Sequence, residues 1–163
     1  MKTILLTTLI VAMAGCASNQ APVMSVAPTE PMSITTSVPT LPAGYPKVAA
    51  AAGSSLYFVN LKNGETVASP VLVQFGLRGM GVAPAGIEKA GTGHHHLLVD
   101  VASLDVNAPI PVSDQHRHFG AGQTEVTLPM TPGKHTLQLL LGDQNHIPHH
   151  PVVMSERITI TVK

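Results

Sequence analysis

An immunoglobulin-like antiparallel β-sandwich of about seven short strands is the fold this sequence predicts, and three observations predict it. Short β-rich runs recur through the last two thirds of the chain. Turn signals separate them, drawn from 14 glycines and 14 prolines in 163 residues. No stretch longer than about ten residues keeps a helical apolar period without meeting Gly or Pro, which leaves room for single helical turns at most.

The strands follow in order. Leu56-Tyr57-Phe58-Val59 is rich in β-formers and runs to a turn at Asn63-Gly64. Val71 to Phe75 follows Pro70, and His94 to Val101 is a long β-compatible run. Val126-Thr127-Leu128 is short, His135 to Leu141 follows Pro132-Gly133, and Ile158 to Val162 alternates apolar and polar residues strictly. The single Cys and the absence of Trp exclude the Cys…Trp…Cys core of antibody domains.

Two segments precede this domain, which we place at residues 53–163. Lys2 and the eleven-residue apolar run Ile4–Ala14 form a signal peptide over residues 1–15, too short to span a bilayer as a helix. The run closes on Met13-Ala14-Gly15-Cys16, which resembles a bacterial lipobox with Met13 where Leu is usual. That resemblance implies lipidation of Cys16, and Ala17 after it resembles an outer-membrane sorting signal, so a periplasm-facing lipoprotein is expected. Residues 16–52 hold six prolines and only two charges, Glu30 and Lys47, with no apolar periodicity. They read as a flexible tether reaching roughly 30–36 Å.

Composition excludes several functions. Nine Lys+Arg balance nine Asp+Glu, so there is no basic stripe for nucleic acid, and 3% aromatics cannot build a stacking platform. No Gly-x-Ser-x-Gly elbow and no His-Glu-x-x-His helix is present, and the only Cys is spent on the anchor, so an enzyme is not expected. The six glycines between Gly76 and Gly93 form a long loop rather than a phosphate cradle.

Histidine is the abundant exception, with nine residues. They fall as His94-His95-His96, His116-x-His118, His135, and His146-x-x-His149-His150. Residues two apart on a strand share a face, so His94 and His96 point one way while His95, Leu97, Val99 and Val101 point the other. His116 and His118 form a second such pair. Imidazole nitrogens gathered this way suit Cu²⁺ or Zn²⁺. The candidate ligands are therefore His94, His96, His116 and His118, with His146 and His149 as alternates. Asp114 and Asp143 stand close enough in sequence to accept the opposite imidazole N–H groups. Met80, Met130 and Met154 offer isolated thioethers that would suit Cu⁺ but serve equally as core filler. His135, in phase with Leu137, Leu139 and Leu141, reads as core-facing or hydrogen-bonded.

Gly93-His94-His95-His96-Leu97-Leu98-Val99-Asp100, His116-Arg117-His118-Phe119-Gly120, Gln123-Thr124-Glu125, Gly133 to Leu139 and Gly142 to Pro148 occur in that order. Together they resemble a bacterial exported family, the domain of unknown function 4399, over about residues 55 to 163. The resemblance implies a small exported β domain and transfers no activity or ligand. Two functions are compatible with the residues. One is an envelope domain that buffers or handles a transition metal. The other is a metal-independent module whose His-rich loops bind an envelope protein or respond to pH.

Overall fold

The computed structural model describes residues 44–163. The signal segment, Cys16 and the tether up to Ala43 lie outside the described residues. The described chain is all-β, with nine strands in two sheets and no helix.

The smaller sheet has the order β1-β3-β7, from Ser55–Phe58, Val71–Arg78 and Glu125–Leu128. The larger sheet runs β2-β9-β8-β5, from Thr66–Val67, Ile158–Val162, Gly133–Gly142 and Thr92–Val99. The far edge of β5 takes both β4 (Gly81–Val82) and β6 (His116–Phe119). The sandwich is thus as expected, with more strands than seven because β2 and β4 are two-residue pieces. Those two pieces also pair in parallel, with β9 and β5, whereas all other strand pairs are antiparallel.

Alternation explains how the sheets meet. Val71, Val73 and Phe75 of β3 face Leu137, Leu139 and Leu141 of β8, Ile158, Ile160 and Val162 of β9 and Leu97 of β5 in one core. Phe75 links the sheets directly, its ring centroid 4.8 Å from Phe119 and 5.2 Å from His95. The expected strand His94–Val101 stops at Val99 because Asp100 takes a left-handed backbone (φ 55°). Its carboxylate then accepts hydrogen bonds from the Thr136 amide (2.7 Å) and from His135 Nδ1 (2.7 Å).

Strand β5 is buried along both faces, which is unusual for an antiparallel sheet of this size. Its outer face, opposite the core, carries His94, His96 and Leu98. Loops close over it, and their Ile110 and Ile147 are buried, as are Leu98 and Leu140. Near the tether, the Val48 carbonyl accepts from the His150 amide and the Ala50 amide donates to the His150 carbonyl, both at 2.9 Å. The last tether residues are therefore paired with the segment that follows the outer-face loop, and the folded chain reaches back before Gly53.

His135 is hydrogen-bonded, one of the two alternatives expected for it. Its Nε2 lies 2.9 Å from the Thr131 carbonyl, so each ring nitrogen faces an acceptor. The hydrogen bond to Asp100 is the main reason its pKa is raised above the usual 6.5. A raised pKa means the pair stabilises the fold fully below pH 6.5 and ceases to do so as pH climbs through the folded value. Asp100→Asn tolerates the left-handed backbone and removes the charge. It should cost a few tenths to about 1 kcal/mol at pH 5.5, by denaturant unfolding, and the gap to wild type should close by pH 9. A gap that stays constant from pH 5.5 to 9 would show that the pair carries no proton-linked stability.

Candidate metal centre

The outer face of the larger sheet gathers four imidazoles. Register sets His96 of β5 directly beside His118 of β6, and alternation puts His94 on the same face two residues along. The fourth, His146, comes from the loop after β8. It is one of two non-glycine residues with positive φ (65°) among the described residues, a conformation that costs of order 1 kcal/mol or more and persists only where surroundings fix it. The surroundings here are explicit. The Asp143 carboxylate, 1% exposed, accepts from the Asn145 and Ile147 amides at 2.8 and 2.9 Å. The His146 amide donates to the Asp143 carbonyl (3.0 Å), and the His146 carbonyl accepts from the Ile110 amide (2.8 Å).

The six ring-centroid separations among His94, His96, His118 and His146 all fall between 4.7 and 5.8 Å. His94 Nε2 and His96 Nε2 are 2.9 Å apart, and His118 Nε2 and His146 Nε2 are 3.1 Å apart. Ligand nitrogens of His94, His96 and His118 all lie within 4.8 Å of one another, a set of three donors that could hold a metal ion. His94 and His96 are fully buried, while His118 and His146 are partly exposed.

Two glycines make room for the rings. A Cβ on Gly120 would overlap the His118 ring, with Nε2 only 2.5 Å away. A Cβ on Gly142 would come within 3.0 Å of His96 Nε2. The glycine-rich loop bridges these segments. Its Ala85 amide donates to the Gly120 carbonyl (2.8 Å), and its Gly86 amide donates to the Gln144 carbonyl (3.0 Å). One loop thereby ties together the segments carrying His118 and His146. Gly120 and Gly142 carry no signal in the sequence, since nothing in a lone glycine shows which ring will lie against it.

The remaining candidates sit elsewhere. His116 lies beside Leu98, and its Nδ1 meets the Ser113 hydroxyl at 3.0 Å. His149 is buried between the Leu141 carbonyl (3.4 Å from Nδ1) and the Thr92 carbonyl (3.2 Å from Nε2), pinning the ends of β8 and β5 together. Asp114 is an exposed partner of Arg117 (3.3 Å). Asp143 serves His146 through the backbone, as described, rather than through an imidazole nitrogen. His94 Nδ1 and His96 Nδ1 are buried without a partner among the described residues, so the usual carboxylate behind a metal-bound imidazole is missing here. His95 faces the core with neither nitrogen paired among the described residues.

Burial, and then the neighbouring rings, disfavour the charged form of His94, His96 and His118. His94 is lowered to about 4, by burial first and then by the facing His146 and His118. His96 is lowered further, to about 2, again by burial first and then by His94 and His118. Burial and then His146 lower His118 as well. Neutral imidazole is the form that binds metal, so the lone pairs stay available at pH values where an ordinary His would be protonated.

The family model for the domain of unknown function DUF4399 matches residues 73–163. The chain belongs to that family. The match begins at Val73, within β3, later than the expected start near residue 55, and it spans all four clustered histidines. No curated protein and no solved structure matches the chain.

The lowered pKa values set an acid sensitivity. Below pH 6.5 the unfolded chain protonates these imidazoles while the folded cluster resists, so folding stability falls as pH drops toward 4. Denaturant unfolding of chelator-treated protein at steps from pH 7 to 4 should show that decline. A His94→Leu/His96→Leu double variant should flatten it. An unchanged slope in the double variant would place the acid sensitivity elsewhere.

Proposed function

We propose that this chain is a lipid-anchored, periplasm-facing envelope protein whose β domain binds one transition-metal ion for buffering or handling. The observation that carries the metal reading is the near-equal spacing of the four imidazole rings. A ring whose nitrogen is about 2.0–2.1 Å from Zn²⁺ has its centroid roughly 3.2 Å from the ion, so a tetrahedral set places centroids roughly 5.2 Å apart. A square-planar set, the Cu²⁺ preference, would give two separations of roughly 6.4 Å and four of roughly 4.5 Å. The observed 4.7–5.8 Å spread lies nearer the tetrahedral value and favours Zn²⁺ over Cu²⁺.

Four nitrogens fill a tetrahedral ion and leave no position for a substrate water, which supports binding rather than catalysis. The envelope location rests on the signal-like run and Cys16 in the sequence.

The direct test is metal content of the tag-free full chain, stripped with chelator, exposed to equal Zn²⁺, Cu²⁺ and Ni²⁺, and desalted. About one ion per chain, mostly Zn²⁺, is expected, and none in the His94→Ala/His96→Ala variant. An empty wild-type protein, or full occupancy in the double variant, would defeat the reading and leave the metal-independent module.

Gly120→Ala probes the geometry without removing a ligand. Gly120 does not use positive φ, so alanine suits its backbone, but the methyl displaces the His118 ring. Zn²⁺ affinity should fall about 10–100-fold, as for other changes around a metal site, with the circular dichroism spectrum unchanged. Wild-type affinity in this variant would mean that His118 is not a ligand.

A further inference from the structure

The four imidazoles are not equivalent, and the difference has a direction. His94 and His96 are fully buried, come from one strand and face each other at 2.9 Å. His118 and His146 are partly exposed, come from two other segments and face each other at 3.1 Å. Three ligands, His94, His96 and His118, stand on neighbouring sheet strands. The fourth stands on a loop, its backbone fixed by Asp143 and Ile110 and its ring on the more open side of the cluster.

We infer that this site passes its ion on by ligand exchange through the His118–His146 edge, with His146 as the ligand that is replaced. The inference rests on the metal-binding reading. In the exchange, a nitrogen or sulfur lone pair of an incoming acceptor forms a bond to the ion as the His146 Nε2–metal bond breaks. The freed imidazole keeps its lone pair, no electron moves between centres, and three sheet-borne histidines hold the ion until the acceptor has enough donors to remove it. Because the loop backbone is pinned, the exchange needs only rotation of the His146 side chain, a rapid motion beside the opening of a whole loop. The buried pair cannot be approached first. The acceptor is a molecule that presents imidazole or thiolate donors at an accessible surface.

The test follows Zn²⁺ transfer from the loaded full-length protein to a chromophoric chelator by stopped flow, after one bound ion per chain has been established. Loading that fails ends the metal reading itself. With a loaded protein, the observed rate should rise in proportion to chelator concentration, since the chelator enters before the ion leaves. His146→Ala should still load, with three histidines, and transfer about tenfold faster, because affinity differences between related complexes lie mostly in dissociation rates. His94→Ala should fail to hold the ion through desalting. A rate independent of chelator concentration in the wild-type protein would overturn the inference without any variant. Equal behaviour of His146→Ala and His94→Ala would overturn it as well.

Discussion

Burial of β5 on both faces is the constraint on which the rest of this domain turns. An antiparallel sandwich strand ordinarily offers one face to the core and one to water. Here the core face takes His95, Leu97 and Val99, and the outer face takes His94, His96 and Leu98, all but Val99 fully or nearly buried. Something must cover that second face, and the long connections do so. The 83–91 loop, the segment before β6 and the turn after β8 each contribute a backbone hydrogen bond that joins one cover to another. Chain length that reads as irregular loop in the sequence is thus the lid of a second, polar core.

Such a core is expensive. Each buried, unpaired polar atom costs roughly 1–3 kcal/mol relative to a satisfied one, and the His94–His96 run holds four atoms with no partner among the described residues. Leucine at these positions would make a simpler and more stable sheet. An ion bound by the Nε2 lone pairs of His94 and His96 would leave those four atoms unpaired, but it would offset their cost by stabilising the fold increasingly as its concentration exceeds its dissociation constant. Under the proposed metal reading, ion binding and folding stability would be thermodynamically linked. The left-handed backbone at His146 is flanked by a buried polar contact of its own, since the Asp143 carboxylate accepts from the Asn145 and Ile147 amides on either side of it.

How much of this was legible in the sequence depends on which structural rule carries each residue. Period-two alternation is local, so the opposed directions of His95 and its two neighbours follow from the letters alone. The proximity of His118 to His96 needs a register, which no single sequence prints. His146 needs more: a turn with one carboxylate accepting two amides and a residue in the left-handed region, and the motif Asp143-Gln144-Asn145-His146 does not announce it. His116 shows the limit of the spacing argument. It shares the face of His118, yet two residues back along β6 its neighbour is Leu98 and its hydrogen-bond partner is Ser113. Family membership added boundaries and no chemistry.

What fixes the register is the apolar side of the same strands. Pairing His96 with His118 also pairs His95 with Phe119, and Phe119 packs on Phe75 across the sandwich. Sliding β6 by one residue would turn Phe119 to the outer face and present Arg117 or Phe119 beside His96 in place of His118. The slipped pairing loses the burial of a phenyl ring, about 1.5–3 kcal/mol, before any metal is considered. The hydrophobic core therefore selects the register, and the register assembles the polar cluster on the far side of the sheet. A substitution at Phe119 that keeps the fold but loosens β6 would reach the histidines without touching one, which makes the core of this sandwich a condition of the histidine cluster.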